Sequence, residues 1–145
     1  KNKLIISTDT SLYVLNTNNG TLINKIAINS IVKPLISGKH LFLITKENLL
    51  VSIDLNSGSI IYSLDINSRI ANFLKTKRKS IDVKTIFIAN NELHLFLKNS
   101  YLVKFTSKGN ITNIKKFPSK LNSFPIFINE SILYLDNKNR LVILD

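Results

Sequence analysis

One phrase is written three times in this chain, and the repetition limits the fold more than any single residue does. The three segments are SLYVLNTNNGTLINKIAI (Ser11 to Ile28), LLVSIDLNSGSIIYSLDI (Leu49 to Ile66) and SYLVKFTSKGNITNIKKF (Ser100 to Phe117). Each reads as an apolar strand, a polar turn ending in glycine, and a second strand. Gly58 lies 38 residues after Gly20, and Gly109 lies 51 residues after Gly58. A fourth copy begins with RLVILD, Arg140 to Asp145, and stops where its turn should come.

The text before each copy repeats too. VKPLISGKHLFLIT (Val32 to Thr45) matches SFPIFINESILYLD (Ser123 to Asp136), and VKTIFIANNELHLFLK (Val83 to Lys98) has the same form without the proline. The N-terminal KNKLIIST supplies only the second strand of such a pair. A full unit therefore holds four short strands. In the second unit they are expected near 33–36, 40–45, 49–54 and 59–64. The connections are short and rich in Gly, Asn, Asp and Ser, as hairpin loops should be. No stretch sustains a period of 3.6 residues, so almost no helix is expected.

A small meander cannot bury both of its faces alone, but meanders stacked around an axis can. Four antiparallel strands repeated about every 40 residues are the pattern of a β-propeller blade. The expected fold is all-β: a β-propeller of four-stranded antiparallel blades, with about three and a half blades present as part of a larger propeller. The blade units fall near 1–31, 32–68, 83–119 and 120–145, and a basic insertion loop spans 69–82. The glycines Gly20, Gly58 and Gly109 are expected where a turn demands positive φ.

Composition agrees. The chain is 44% hydrophobic, enough for a real core, and draws on Ile, Leu, Val, Phe and Tyr, which favour pleated strands. Its net charge of +11 points to nucleic acid, an anionic membrane surface or an acidic protein. The plainer explanation is a solvated surface enriched in Lys by an AT-rich genome, since most lysines are spread along the turns. One concentration stands out: KTKRK, with Lys75, Lys77, Arg78 and Lys79. These four are the candidate partner-binding residues, because long insertions in repeat folds tend to lie on a binding face. The bland alternative is a solvated inter-blade loop.

Chemistry finds little support. The chain has no Cys, which removes disulfides, cysteine zinc sites and cysteine nucleophiles. Asp9, Glu47, Asp54, Asp65, Glu92, Glu130 and Asp136 sit at turns or strand ends with no spacing that suggests acid–base pairing. His40 and His94 open equivalent strands of different units and are not expected to converge on a metal. With four glycines there is no phosphate-binding loop. No catalytic, metal or cofactor residue is expected, and the chain is expected not to be an enzyme. Nucleic-acid binding would need basic residues interleaved with stacking aromatics, and KTKRK has only Phe73 nearby, so none is expected. The tripeptides at Asn19, Asn110 and Asn129 fit a glycosylation pattern but arise by chance in so Asn-rich a chain. No uncharged apolar run approaches the ~18–20 residues of a membrane helix. There is no initiating Met and no leader pattern, so a mature or excised portion is expected, soluble in water.

The run Ile53-Asp54-Leu55-Asn56-Ser57-Gly58-Ser59-Ile60-Ile61-Tyr62 resembles the repeat of the PQQ-like β-propeller superfamily, and Leu15 to Asn24 resembles it less closely. Pro34 and Pro125 match the proline that opens that family's innermost strand. The family's repeat often ends in a Trp that docks between blades. This chain has no Trp; Tyr62, Asn24 and Ile114 or Lys115 stand at the corresponding places. Within the superfamily, ISTDTSLYVLN and GKHLFLITKENLLVSIDLNSGSIIYSLDI resemble the BamB family of outer-membrane barrel-assembly scaffolds. That resemblance implies a non-enzymatic periplasmic scaffold, anchored through an upstream lipidated Cys and binding barrel-assembly components through loops or sheet edges. It implies no cofactor. An anionic membrane surface and self-association through exposed edges are further contacts compatible with such a chain. The alternative within the superfamily is a quinoprotein dehydrogenase, or another ligand-binding propeller, whose site lies in further blades.

Overall fold

A computed structural model of the chain describes residues 2–128 and 131–144. It divides into two compact units, Lys1–Lys79 and Ser80–Asp145. Asn129 and Glu130, singled out in the sequence, lie outside the described residues.

The first unit holds two antiparallel meanders. One is a three-stranded sheet of β1 (Lys3–Ser7), β2 (Leu12–Asn16) and β3 (Leu22–Ile26). The other has four strands: β4 (Leu35–Ser37), β5 (His40–Ile44), β6 (Leu49–Asp54) and β7 (Ile60–Asp65), in that spatial order. β4 begins two residues later than expected, just past Pro34, which has no N–H to give to a ladder. The two sheets meet through alternating residues. Leu12 and Val14 from β2 pack with Leu41, Leu43, Val51, Ile53 and Leu55, and all seven are buried. Each such side chain contributes about 1.5–3 kcal/mol by leaving water.

The second unit repeats the scheme. β8 (Val83–Ala89), β9 (Glu92–Leu97), β10 (Tyr101–Thr106) and β11 (Ile111–Lys116) form one sheet. β12 (Ile126–Ile128), β13 (Ser131–Leu135) and β14 (Leu141–Leu144) form the next. Here the interface is aromatic. Phe96 and Phe117 lie 5.1 Å apart, Phe117 and Tyr134 5.4 Å, and Phe87 meets Phe127. Ser119 Oγ and the Tyr134 hydroxyl, 3.1 Å apart, satisfy each other.

The turns show how the repeat is encoded. Gly20, Gly58 and Gly109 have φ of +70°, +73° and +82°, so each sits where a side chain would strain the backbone. Gly20 N–H donates to Asn16 O and Gly58 N–H to Asp54 O, whereas the third loop is a residue shorter and closes from Gly109 to Thr106. Just before each of these loops the ladder slips by one residue, at Val14/Leu15, Ser52/Ile53 and Lys104/Phe105. The copies thus share a bulge as well as a turn. The β8–β9 turn places Asn90 and Asn91 both at positive φ, the geometry that two-residue hairpins favour and asparagine tolerates.

The insertion departs from expectation. Its first half is not loop: α1 (Ile66–Leu74) follows directly on β7. Asp65 caps it, with Oδ1 accepting from Ser68 N–H at 2.9 Å. Ile66, Asn67, Ile70 and Ala71 form its buried face. A helix of nine residues makes only two and a half turns, too few for a periodic signal to stand out.

Candidate interaction surface

The basic segment follows α1 and is shaped by how that helix ends. Lys75 adopts a left-handed conformation (φ 52°, ψ 43°), and Thr76 N–H reaches back to Ala71 O while Lys75 N–H reaches Asn72 O. This is the usual helix-closing pattern with Lys in the place glycine normally fills. Arg78 then folds back to the start of the helix. Its Nη2 donates to Asp65 Oδ2 at 2.9 Å, beside the Ser68 hydroxyl bonded to the same oxygen. The Ser68 backbone N–H first, then the Ser68 hydroxyl and the nearby guanidinium, outweigh a modest burial penalty and hold the Asp65 carboxyl below its ordinary value.

The four sequence-predicted residues therefore separate. Arg78 is an internal tie between the two ends of α1. Lys75, Lys77 and Lys79 are exposed. Sequence reasoning noted Phe73 as the nearest aromatic but not that both Phe73 and Leu74 stand 47% exposed at the helix end. The helix itself was the missing signal: it sets Phe73 and Leu74 one turn beyond Ile70, where its apolar stripe emerges from the buried part.

The position that the propeller resemblance gives to a docking Trp is filled otherwise. In the first unit Asn24 Nδ2 donates to Leu55 O at 3.4 Å, and its side chain lies against Gly58. Lys3 Nζ donates to Leu55 O at 2.7 Å and to Asn56 Oδ1 at 2.8 Å. A polar grip on the next sheet's turn thus stands where an indole would. Tyr62, at the same place in the next repeat, is half-buried; burial pushes its phenol up to about 12 against a hydrogen bond with Ser52 that pulls it down.

Among the described residues no three of His, Cys, Asp and Glu come together in a way that could hold a metal ion. His40 is half-buried, its ring 6.0 Å from that of Phe42. His94 is 5% exposed, between Phe87 at 4.7 Å and Phe127 at 5.8 Å. Its ring nitrogens make no hydrogen bond of good geometry, although the Ala89 backbone is near enough to favour the charged form slightly. Burial, helped by the Lys104 ammonium across the ladder and opposed by Glu92, holds its pKa below 6.5. Asp136 is wholly buried and accepts from the Lys138 and Arg140 backbone and from the Arg140 guanidinium at 2.7 Å, which holds its carboxyl down at about 2. That set closes the β13–β14 turn and leaves the carboxylate fully engaged.

Open depressions mark the described surface of both units. One, of about 350 Å³, is lined in the first unit by Asp9, Thr10, Asn29, Thr45 and Glu47 among others. Another, of about 590 Å³, lies in the second unit around Ser80, Asp82, Lys98, Asn99 and Lys120. Neither encloses a ligand-sized apolar cavity of the kind small-molecule sites need.

No known protein family matches the sequence, and no curated protein matches it either. Solved structures do. The chain is similar to BamB from Moraxella catarrhalis over 99% of its own length, with a TM-score of 0.76 and 10% identity. This chain has the fold of a partial β-propeller. It spans 40% of the BamB chain, so it corresponds to less than half of that protein. The computationally designed Ika4 protein is similar over 99% of this chain and 85% of its own, with a TM-score of 0.68 and 10% identity. BBS1N, solved in complex with ARL6DN, is similar over 98% of this chain and 46% of its own, with a TM-score of 0.71 and 8% identity.

Proposed function

We propose that this chain is part of a non-enzymatic propeller scaffold that works beside the outer membrane, in the periplasm, holding components of the β-barrel assembly machinery. The observation that carries the reading is the likeness to BamB along 99% of the chain, in a molecule whose described residues assemble no metal-binding cluster. The BBS1N neighbour, solved with a protein bound to it, supports the use of such a disc as a protein-binding platform. Sheet edges offer a second mode of contact, since an extended partner can add a strand by main-chain hydrogen bonds alone.

The test is affinity purification of the intact, envelope-anchored protein from its own cells, followed by mass spectrometry. Recovery of barrel-assembly components supports the scaffold. Their absence, together with a quinone or metal in the purified protein, contradicts it and favours a ligand-binding or dehydrogenase propeller.

A further inference from the structure

We propose that the end of α1 and the segment after it, Arg69 to Lys79, dock on an anionic lipid surface. The inference stands apart from the scaffold reading, because it concerns lipid rather than a protein partner. Two observations meet here. Phe73 and Leu74 are exposed side by side at the helix end, where the apolar stripe of Ile66 and Ile70 runs one turn past its buried part. Around them, residues 66–81 contain five cations, Arg69, Lys75, Lys77, Arg78 and Lys79, and no Asp or Glu. Arg78 is taken up by Asp65. Arg69, Lys75, Lys77 and Lys79 are exposed and make no ion pair among the described residues.

An apolar tip ringed by cations fits a surface that is apolar below and anionic at its face. Arg69 lies one helical turn before Phe73, so its charge stands on the same side as the ring. The lysines suit a diffuse layer of headgroups. Each is a point charge on a flexible stem, without the planar fork that fixes a carboxylate or phosphate in one geometry. Those stems let Phe73 and Leu74 sink while the ammonium groups stay at headgroup level. An acidic protein would also meet the charge, and the titration with polyglutamate separates that partner from lipid.

The chain has no Trp, so Phe73→Trp places a single reporter in it at the proposed point of insertion. The full-length protein carrying this change is titrated with phosphatidylcholine vesicles, alone or with about one-third phosphatidylglycerol, and with polyglutamate. The expected result is a blue shift of Trp emission and co-sedimentation with the anionic vesicles only, both weakened by added salt. Adding Lys77→Gln and Lys79→Gln should weaken partitioning roughly tenfold or more. Both positions are exposed, and an unchanged circular dichroism spectrum confirms that the variant is folded. Emission that stays unshifted with anionic vesicles overturns the proposal. So does equal binding to neutral vesicles. A shift with polyglutamate but not with vesicles also overturns it, and assigns the tip to an acidic protein.

Discussion

The two units share a strand scheme and fill it with different chemistry. In the first, the sheets meet through Leu, Val and Ile, and the next turn is gripped by Lys3 and Asn24. In the second they meet through Phe96, Phe117 and Tyr134, with Phe87 and Phe127 alongside and His94 among them. Branched aliphatic residues interlock on a pleated surface without special geometry. Rings must find offset or tilted pairings, and so leave room for an imidazole between two of them. The lesson is that a blade specifies alternation and turn chemistry, while the filling of the interface varies with whatever volume closes it.

The contrast can be broken most severely at its centres. Phe96→Ala should cost about 3–5 kcal/mol and Leu43→Ala about 2–5, both fully buried, as read by urea unfolding. Phe96→Leu should recover much of the loss in volume but not the ring pairing, worth about 0.5–1.5 kcal/mol. If Phe96→Leu is as stable as the parent, the aromatic interface has no energetic role beyond its volume.

The turns come next. Gly58→Ala forces an L side chain into φ +73° and brings its Cβ to 3.0 Å from Asn24, whereas a Cβ at Gly20, φ +70°, meets nothing within 4 Å. Both should lose about 1–2 kcal/mol to backbone strain, with Gly58→Ala the worse of the pair. Equal losses would show that Asn24 yields freely and that the polar grip on the turn is loose.

Acid separates the units in another way. His94 has its pKa lowered on folding, so the unfolded chain binds its proton more readily. Stability of the second unit should therefore fall as pH drops below about 6.5, the ordinary histidine value. His94→Leu should flatten that part of a stability–pH profile. Asp136 acts lower down. Its folded value of about 2 lies beneath the ordinary 3.8, so its contribution is fully present above 3.8 and is lost as pH falls through about 2. Asp136→Asn should remove that second decline. A profile in His94→Leu identical to the parent's would place the titrating group elsewhere. The smallest effect belongs to the solvated pair Lys98–Asp82, 2.9 Å apart, where Lys98→Ala should change stability by less than about 1 kcal/mol.

Much of this was legible in the sequence because alternation and turn glycines are local signals. Gly20, Gly58 and Gly109 mark their hairpins, and residues 49–54 form a strand at the expected bounds. What was not legible depended on contacts far along the chain. Nothing near Asn24 says that it will reach Leu55, 31 residues on. Nothing in KTKRK says that Arg78 will turn back 13 residues to Asp65 while its lysine neighbours stay in solvent. Helix α1 was hidden for a different reason: its buried face is only Ile66, Asn67, Ile70 and Ala71, a pattern too brief to stand out from the strands around it.

The most direct test of the scaffold reading is a calorimetric titration of the purified full-length protein with the soluble periplasmic domains of the barrel-assembly protein. Saturable binding near one-to-one, with a Kd of about 1 μM or tighter, is the predicted result. No binding heat at concentrations well above that, with a redox cofactor visible in the protein's own absorbance spectrum, would contradict it.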